Sequence, residues 1–420
     1  MTLLLLILAA GAAQADFRAA AVKVDITPKT PQPLLGYAAR TSTGVHDAIF
    51  HRVIAMDDGL TQFYLAATDI ALVSPSIYDD FCKDLEKETG IGRKQVWWTV
   101  THTHSAPEVG PPGLAQAFLP DRYHHQPDWE YAGFVKRTLI DAIKKAKAAL
   151  APARLRVGKG FAMANINRRA RGDDGKIRLG LNPYGPVDRE IGLLRVEQPD
   201  GKLIALVMNY AMHGTALGGA NTQISGDAPG VVTAYLEQKL GGTVLYVNGA
   251  AGNIAPIYSV YPDFRSAHLN EFPVLLGDRV VEELRRMPAP AEVRFETGER
   301  ILETPRKAGL GWAPDLGAYA KNGSKGPLVR LPLRFLRVNR ETAIWAAPLE
   351  MFCELALAVR DRSPFANTFF FGYANGWLGY LPTKAAFAEG GYEPGVSPFT
   401  DRAEAEVVEA ALKQLQSLRK

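Results

Sequence analysis

The sequence is poor in the features that mark several large classes of protein. Its 420 residues include only two cysteines, so no spaced cysteine cluster is available to bind a metal ion. Basic and acidic residues nearly cancel, 48 against 44, and neither sign forms long blocks, which argues against nucleic-acid binding. No apolar run reaches the roughly 20 residues of a membrane-spanning helix, so we expect no transmembrane span in the mature chain.

The N-terminus has the pattern of an export signal. An apolar stretch from Leu3 is followed by Ala13-Gln14-Ala15, the small-x-small pattern of a signal-peptidase site. No Lys or Arg precedes the apolar run, which departs from the usual signal. We expect a signal peptide over residues 1–15 and a secreted or periplasmic protein. In an oxidising compartment Cys82 and Cys353 either form a disulfide or are two buried free thiols, and the sequence leaves both alternatives open.

Strand-like and helix-like segments alternate without repeats or a Ser/Gly linker, which predicts one mixed α/β (α+β) domain over residues 16–420. We expect a layered domain with central mixed β-sheets flanked by helices. The predicted strands are 20–26, 50–56, 62–73, 95–101, 203–211, 243–249, 329–338, 342–347 and 368–374. The predicted helices are 76–88, 129–150, 229–240, 270–286, 349–360 and one after Asp401.

Three histidines occur where strands are predicted to end. His102 and His104 follow the apolar run "VWWTV", and side chains two apart in an extended strand share a face. His213 follows the strand "LIALVMNY", whereas His124 and His125 lie in a polar, proline-flanked loop. Glu350 follows "IWAAPL" at a predicted helix start. It is either a zinc ligand or an ordinary residue of the first helical turn, where the helix dipole favours an acid.

These residues stand among motifs that resemble the catalytic domain of the neutral/alkaline, non-lysosomal ceramidases. The motifs include "LLGYA", "THTHSAP", "NINRR", "MNYAMHGTALG", "NGAAGNIAP", "APLE", "GYLPT" and "GGYEPG", and together they cover nearly the whole mature chain. The resemblance implies an exported zinc-dependent amidohydrolase that cleaves the N-acyl bond of ceramide or a related N-acylated lipid by attack of a zinc-bound water. Such a lipid substrate allows peripheral membrane contact.

Carried over to this sequence, the resemblance implies two sets of site residues. The Zn²⁺ ligands would be His102, His213, Glu350 and Tyr380. The polar groups around the reacting carbonyl would be His104, which transfers the proton to the departing amine, with Arg168 and Tyr392, which stabilise the oxyanion.

Two features depart from the family. Asn253 and Ala255 in "GNIAP" replace the acid and the serine of the family's "GDVSP"-type segment. Well-known members also carry a C-terminal immunoglobulin-like domain, and from the end of the sequence at Lys420 we expect the catalytic domain alone. Three alternatives to a ceramidase therefore stay open: a barrel-type metal-dependent amidohydrolase, a hydrolase of another amide or ester, and a non-catalytic lipid- or glycan-binding relative.

Overall fold

The computed structural model describes residues 17–111, 127–257 and 268–420. The predicted signal peptide, His124 and His125 lie outside these residues. The described part of the chain is 29% helix and 35% strand, and it forms several mixed sheets with helices on their outer faces. The predicted fold class, a mixed α/β protein with central mixed sheets flanked by helices, is confirmed. Among the helices of the described residues, none has the length and apolar character needed to cross a membrane.

Three large sheets form the framework. The first contains, in spatial order, β7 (Val96–Val100), β6 (Gln62–Thr68), β5 (Phe50–Asp57), β1 (Arg18–Asp25) and β8 (Ala151–Pro152). The second contains β15 (Thr243–Asn248), β13 (Leu203–Tyr210), β12 (Glu190–Glu197) and β9 (Arg154–Phe161). The third contains β17 (Glu296–Pro305), β19 (Gly326–Arg337), β20 (Thr342–Ala346) and β22 (Asn367–Phe371), with β18 (Ala320–Gly323) paired to β19. Each sheet includes one parallel pair, respectively β6–β7, β13–β15 and β20–β22.

Smaller sheets lie beside this framework, and they carry Arg168, Glu350 and Tyr380. One sheet has three strands, in the order β11 (Ile177–Asn182), β10 (Asn165–Arg171) and β16 (Ile254–Pro256). The two-stranded sheets are β2 (Pro33–Leu34) with β3 (Arg40–Thr41), β4 (Gly44–Val45) with β14 (Gln223–Ile224), and β21 (Glu350–Met351) with β23 (Tyr380–Leu381).

The helices lie mainly outside the large sheets. The α-helices are α1 (Pro75–Thr89), α2 (Trp129–Ala148), α3 (Asp227–Leu240), α4 (Asp278–Leu284), α5 (Cys353–Arg362), α6 (Lys384–Glu389), α7 (Tyr392–Gly395) and α8 (Ala403–Arg419). Short 3₁₀ helices span Arg93–Gln95, Leu269–Glu271 and Pro314–Tyr319, and a π-helical turn spans Pro273–Gly277.

Successive residues of the central strands enter different hydrophobic cores. In β20, Ile344 faces a core shared by the three large sheets, while its neighbour Trp345 faces the core beneath helices α1, α2, α5 and α8. In β13, Val207 joins the shared core and Met208 packs beneath α3 and α4. Strands buried on both faces are apolar at every position, which explains why these segments are apolar runs.

The nine predicted strands correspond to β1, β5, β6, β7, β13, β15, β19, β20 and β22. Two predicted helices differ from the structure. The helix expected over residues 270–286 is divided into a 3₁₀ turn, a π turn and α4. The helix expected from Leu349 begins only at Cys353, because Glu350 and Met351 form strand β21. Cys82 and Cys353 are both buried and free.

Candidate metal centre

His102 does not lie in an extended strand, so the geometry expected for the His-x-His pair is wrong. Strand β7 ends at Val100, and His102 has a left-handed backbone with φ of +63°. The two rings nevertheless converge, since their Nε2 atoms lie 3.1 Å apart. The His102 Nδ1 atom is 2.8 Å from the carbonyl oxygen of Ala71, which fixes the ring and directs Nε2 toward the centre.

His213 reaches the same point from the second sheet. The segment after β13 runs beside the His-x-His segment, where His104 donates its backbone N–H to the Gly214 carbonyl at 2.8 Å. A Cβ atom at Gly214 would lie 2.7 Å from Thr103 Cα, so this close approach requires glycine. The His213 Nδ1 atom is 2.9 Å from the Ile254 carbonyl oxygen, so this ring also presents its Nε2 atom.

Glu350 and Tyr380 come from the paired strands β21 and β23, in which they lie directly opposite each other. The Glu350 Oε2 atom is 3.3 Å from His102 Nε2 and 3.0 Å from His213 Nε2. Trp377 donates its indole N–H to Oε1 at 2.9 Å. Burial alone would raise the pKa of Glu350, but His102 and His213 hold it well below its usual value. Glu350 is therefore a buried carboxylate, the ionised form that binds metals.

The predicted helix start at Glu350 is thus replaced by a two-residue strand. The position of this strand, β21, is fixed by Gly252, which donates its N–H to the Met351 carbonyl at 2.9 Å. A Cβ atom at Gly252 would lie 2.5 Å from the Glu350 carbonyl oxygen. The "GNIAP" segment therefore packs directly against the strand that carries the acidic side chain.

Arg168, on β10, connects three parts of the site. Its guanidinium donates to Glu393 at 3.0 Å and to the Tyr380 hydroxyl at 3.2 Å, and it lies 3.0 Å from His213 Nε2. Burial, together with the charge of Glu350, raises the pKa of Tyr380 well above its usual value, so this phenol is neutral in the absence of a metal. The ring of Tyr392 lies 5.8 Å from that of Tyr380, which places Tyr392 at the edge of the cluster.

Glu393 is a site residue that was not predicted from the sequence. Glu393 is buried and pairs with both Arg168 and Arg169, at 3.0 and 2.8 Å. Its position beside Tyr392 in "GGYEPG" was the available signal, because a buried arginine requires a nearby carboxylate.

His104 differs from the other two histidines. Its Nδ1 atom is buried and makes no hydrogen bond within the described parts of the chain. Burial lowers the pKa of His104 well below its usual value, and the neighbouring His102 and His213 add to the effect. Burial and the charge of Arg168 lower the pKa of His213 to about 3. Neutral imidazole is the form that binds metals, and all three rings place a nitrogen within 4.8 Å of one another.

These donors fit a metal ion. Imidazole nitrogen with carboxylate oxygen is the usual donor set of catalytic zinc, and Nδ1–carbonyl contacts such as those of His102 and His213 typically orient metal-binding histidines. The histidine cluster could therefore hold a metal ion. His104 Nε2 is close enough to be counted in that cluster, so proximity alone does not separate a ligand from a proton-transfer group.

The remaining features considered from the sequence are His268, the barrel alternative, Asn253 and Ala255. His268 precedes the 3₁₀ turn Leu269–Glu271 and is not part of the histidine cluster. The large sheets contain antiparallel as well as parallel pairs, unlike the barrel of the amidohydrolase alternative.

Asn253 donates to Glu354 at 2.8 Å and accepts from the Cys353 N–H at 3.0 Å, so its amide supplies a donor that a carboxylate lacks. Ala255 is buried in β16 opposite Ile166.

The chain is similar to known proteins both in sequence and in fold. The family model for the N-terminal part of neutral/alkaline non-lysosomal ceramidase matches residues 17–257. Neutral ceramidase of Pseudomonas aeruginosa is 23% identical over an alignment of 283 residues that covers 62% of this chain and 40% of that protein. Neutral ceramidase A of Dictyostelium discoideum is 25% identical over 238 residues, 52% of this chain and 31% of that protein. The matched regions thus span less than half of each relative.

Among solved structures, the fold resembles the crystal structure of neutral ceramidase from Pseudomonas aeruginosa. The TM-score is 0.78 at 18% identity, and the match covers 96% of this chain and 75% of that one. A ceramidase structure described as complexed with C2 gives the same values.

Proposed function

Because the chain belongs to the neutral/alkaline non-lysosomal ceramidase family, we propose that it is a zinc-dependent amidase that cleaves the N-acyl bond of ceramide or a related N-acylated lipid. The observation that carries this proposal is the convergence of two imidazoles on one carboxylate. The Glu350 Oε2 atom lies 3.3 Å from His102 Nε2 and 3.0 Å from His213 Nε2. Three donors of this chemistry, buried together, match the ligands of a catalytic zinc site.

His102, His213, Glu350 and Tyr380 would hold the metal. When bound, zinc would act as a Lewis acid that polarises a carbonyl oxygen, and it would lower the pKa of water so that a nucleophile is available at neutral pH. The Nδ1 contacts of His102 and His213 with backbone carbonyls keep both rings in the tautomer that leaves Nε2 available. Arg168 now lies within hydrogen-bond distance of His213 Nε2, a contact that metal binding would replace.

The remaining polar groups would act on the substrate. Arg168 keeps its charge at any working pH and is held by Glu393, so it can donate to the oxygen that becomes negative during attack on the amide carbon. Tyr392 would supply a second donor from the edge of the cluster. His104 is neutral, with Nε2 toward the centre and an Nδ1 atom free of hydrogen bonds to the described residues, and it would carry a proton to the departing amine.

The further elements of the proposal concern location and substrate. An N-terminal export signal would place the enzyme outside the cytoplasm, and peripheral contact with a membrane would give it access to a lipid. Ala255 lacks the hydroxyl of the family's serine, which favours testing simpler N-acyl amides and esters beside ceramide.

The test combines metal analysis with a substrate assay. Purified protein is analysed for bound metals and assayed for fatty-acid release from ceramide, short N-acyl amides and esters, before and after chelation and zinc replacement. We expect about one zinc per chain and turnover that is lost with the metal and restored with it. Metal without amide cleavage would favour another hydrolase, and a protein with neither metal nor turnover would favour the non-catalytic relative.

A further inference from the structure

The three histidines of the centre are held in two different ways. His102 and His213 are each fixed by a hydrogen bond from Nδ1 to a backbone carbonyl, at 2.8 and 2.9 Å. His104 has no such bond among the described residues. The Nε2 atom of His104 lies 3.1 Å from His102 Nε2, so among the described residues the Nδ1 side of the ring is positioned by packing.

The packing comes from the loop of the β2–β3 hairpin. The Tyr37 ring meets the His104 ring edge-on, with centroids 4.9 Å apart and planes at 68°. Gly36, one residue earlier, has φ of +110°, and a Cβ atom there would lie 2.4 Å from His104 Nδ1. The backbone at Gly36 therefore covers the Nδ1 side of His104, where the other two histidines have a carbonyl oxygen, and the Tyr37 ring packs against the same imidazole.

The same hairpin is tied to the segment that carries His104. Arg40 donates to the His104 carbonyl at 2.6 Å, and its guanidinium lies 4.8 Å from the centre of the Tyr37 ring. Leu35 donates its N–H to the Ala106 carbonyl at 3.3 Å. The hairpin thus contacts the backbone on both sides of the imidazole, so a movement of the loop is transmitted to the ring.

We infer that the β2–β3 hairpin positions His104, and that Tyr37 is the positioning residue that holds the ring by contact instead of by a hydrogen bond. The inference rests on the proposed function in so far as His104 is the proton-transfer group. The contacts that carry the inference are the edge-on Tyr37 ring, the close approach of Gly36 and the Arg40 bond to the His104 carbonyl.

A purely structural role for Tyr37 is a weaker explanation. Tyr37 is only half-buried and belongs to none of the three hydrophobic cores. Its hydroxyl lies beside Thr215, whereas its ring meets His104 and Arg40. The aromatic ring, and not the hydroxyl, is therefore the part that should matter to His104.

The first experiment compares Tyr37→Ala, which removes the ring, with Tyr37→Phe, which keeps it. Tyr235→Ala on the outer helix α3 is the matched control, because Tyr235 is also half-buried, contacts Asp278 through its hydroxyl and has Lys239 4.7 Å above its ring. Crystal structures of Tyr37→Ala should show the His104 ring in a second orientation, with the Nδ1 contacts of His102 and His213 unchanged. Tyr37→Phe should leave His104 in place. An unmoved His104 in Tyr37→Ala would overturn the inference, and this readout does not depend on any substrate.

The second experiment measures turnover in a double-mutant cycle with His104→Ala. Misplacing a catalytic group by about 1 Å costs up to about a hundredfold, so Tyr37→Ala should lower kcat by about tenfold with KM within about twofold. Tyr37→Phe and Tyr235→Ala should keep kcat within about twofold of the parent value. In the His104→Ala background the Tyr37→Ala effect should disappear, since coupled residues are not additive.

The outcomes separate the inference from the proposed function. An equal tenfold loss with and without His104 would show that Tyr37 acts elsewhere and would overturn the inference. A parent enzyme without amide turnover would contradict the proposed function, and the crystal structures would still decide whether Tyr37 holds His104.

Discussion

His102 combines an unfavourable backbone conformation with a firmly held side chain. A non-glycine residue at φ of +63° costs on the order of 1 kcal/mol or more. Its N–H is bonded to the Ile70 carbonyl at 3.0 Å and its ring to Ala71, so the surrounding structure maintains the conformation. The turn replaces an extended strand end and brings Nε2 to the shared centre.

The first prediction concerns His102 and His104. His102→Ala should remove the metal and abolish hydrolysis, because it deletes a proposed ligand whose ring is held by the Ala71 carbonyl. His104→Ala should keep its metal and lose turnover by about a hundred- to ten-thousandfold, the usual range for a proton-transfer group. Metal content and amide release are measured on both variants. His51→Ala, which removes a buried histidine hydrogen-bonded to Thr68 and Val135, is the control and should retain metal. Equal metal loss from the two site variants would contradict the division of roles.

The second prediction concerns Tyr380. Tyr380→Phe removes the hydroxyl that accepts from Arg168 at 3.2 Å and leaves the buried ring in place. We expect weaker zinc binding with little change in melting temperature, because only the proposed oxygen ligand is lost. Zinc affinity is measured by competition with a chelator. The control is Tyr246→Phe, a buried tyrosine that donates to the Tyr210 carbonyl instead. Identical zinc affinity in both variants would remove Tyr380 from the metal shell.

Among the structural elements, the shortest strands contribute most to the site. Strands β21 and β23 have two residues each, yet their pairing places Glu350 opposite Tyr380. The Glu350 N–H donates to the Gly379 carbonyl at 3.1 Å and the Phe352 N–H to the Leu381 carbonyl at 3.1 Å. Backbone hydrogen bonds therefore hold the two side chains together without a regular helix or a long sheet.

The long elements could be predicted from the sequence, whereas these short ones could not. Strands such as β13 and β20 are buried on both faces, so each is an apolar run that predicts a strand by itself. A two-residue strand has no periodicity, and the partner of β21 lies far along the chain, so Glu350 was assigned to a helix start. The pairing of Arg168 with Glu393, 225 positions apart, is likewise invisible to local patterns.

The third prediction tests this strand pair through Gly252. In Gly252→Ala the new Cβ would meet the backbone of Glu350 at 2.5 Å, so the strand must shift. Overpacking against backbone typically costs about 1 to 3 kcal/mol, and the shift should also weaken metal binding. Gly317→Ala is the matched control, since among the described residues no heavy atom beyond its own turn lies within 4 Å of the place that its Cβ would occupy. Denaturant unfolding and metal titration are measured on both, and a Gly252→Ala protein that resembles the control would contradict this role for the glycine.

At the scale of the whole molecule, the centre lies where the large sheets meet. His102 follows β7 of the first sheet, His213 follows β13 of the second, and Glu350 follows β20 of the third. The strands themselves are buried on both faces against cores of Ile, Leu, Val and aromatic side chains. Three sheets therefore each place one of these residues at the centre, and a shared ligand would connect all three.

The fourth prediction follows from that connection. A metal bound only by the folded protein stabilises it by about 2.7 kcal/mol when its free concentration is a hundred times Kd. Chelation should therefore lower the melting temperature by several degrees, and zinc should restore it. The measurement is a thermal unfolding scan with and without chelator. His102→Ala should show no chelator-dependent change, and an equal change in that variant would assign the effect to a metal bound elsewhere.

The separation of the site residues along the chain has a consequence for when the centre can form during synthesis. Arg168 and Tyr380, which touch in the folded protein, are 212 positions apart, and Trp98 is bonded to Asn375 at a separation of 277. Closing such long loops comes late in folding, because local contacts form first. During synthesis, the histidines are made long before Glu350 and Tyr380, which would complete the proposed centre. A metal ion held by all four proposed ligands would therefore reach its final coordination only after the three sheets have docked, and it would stabilise a fold that has already formed.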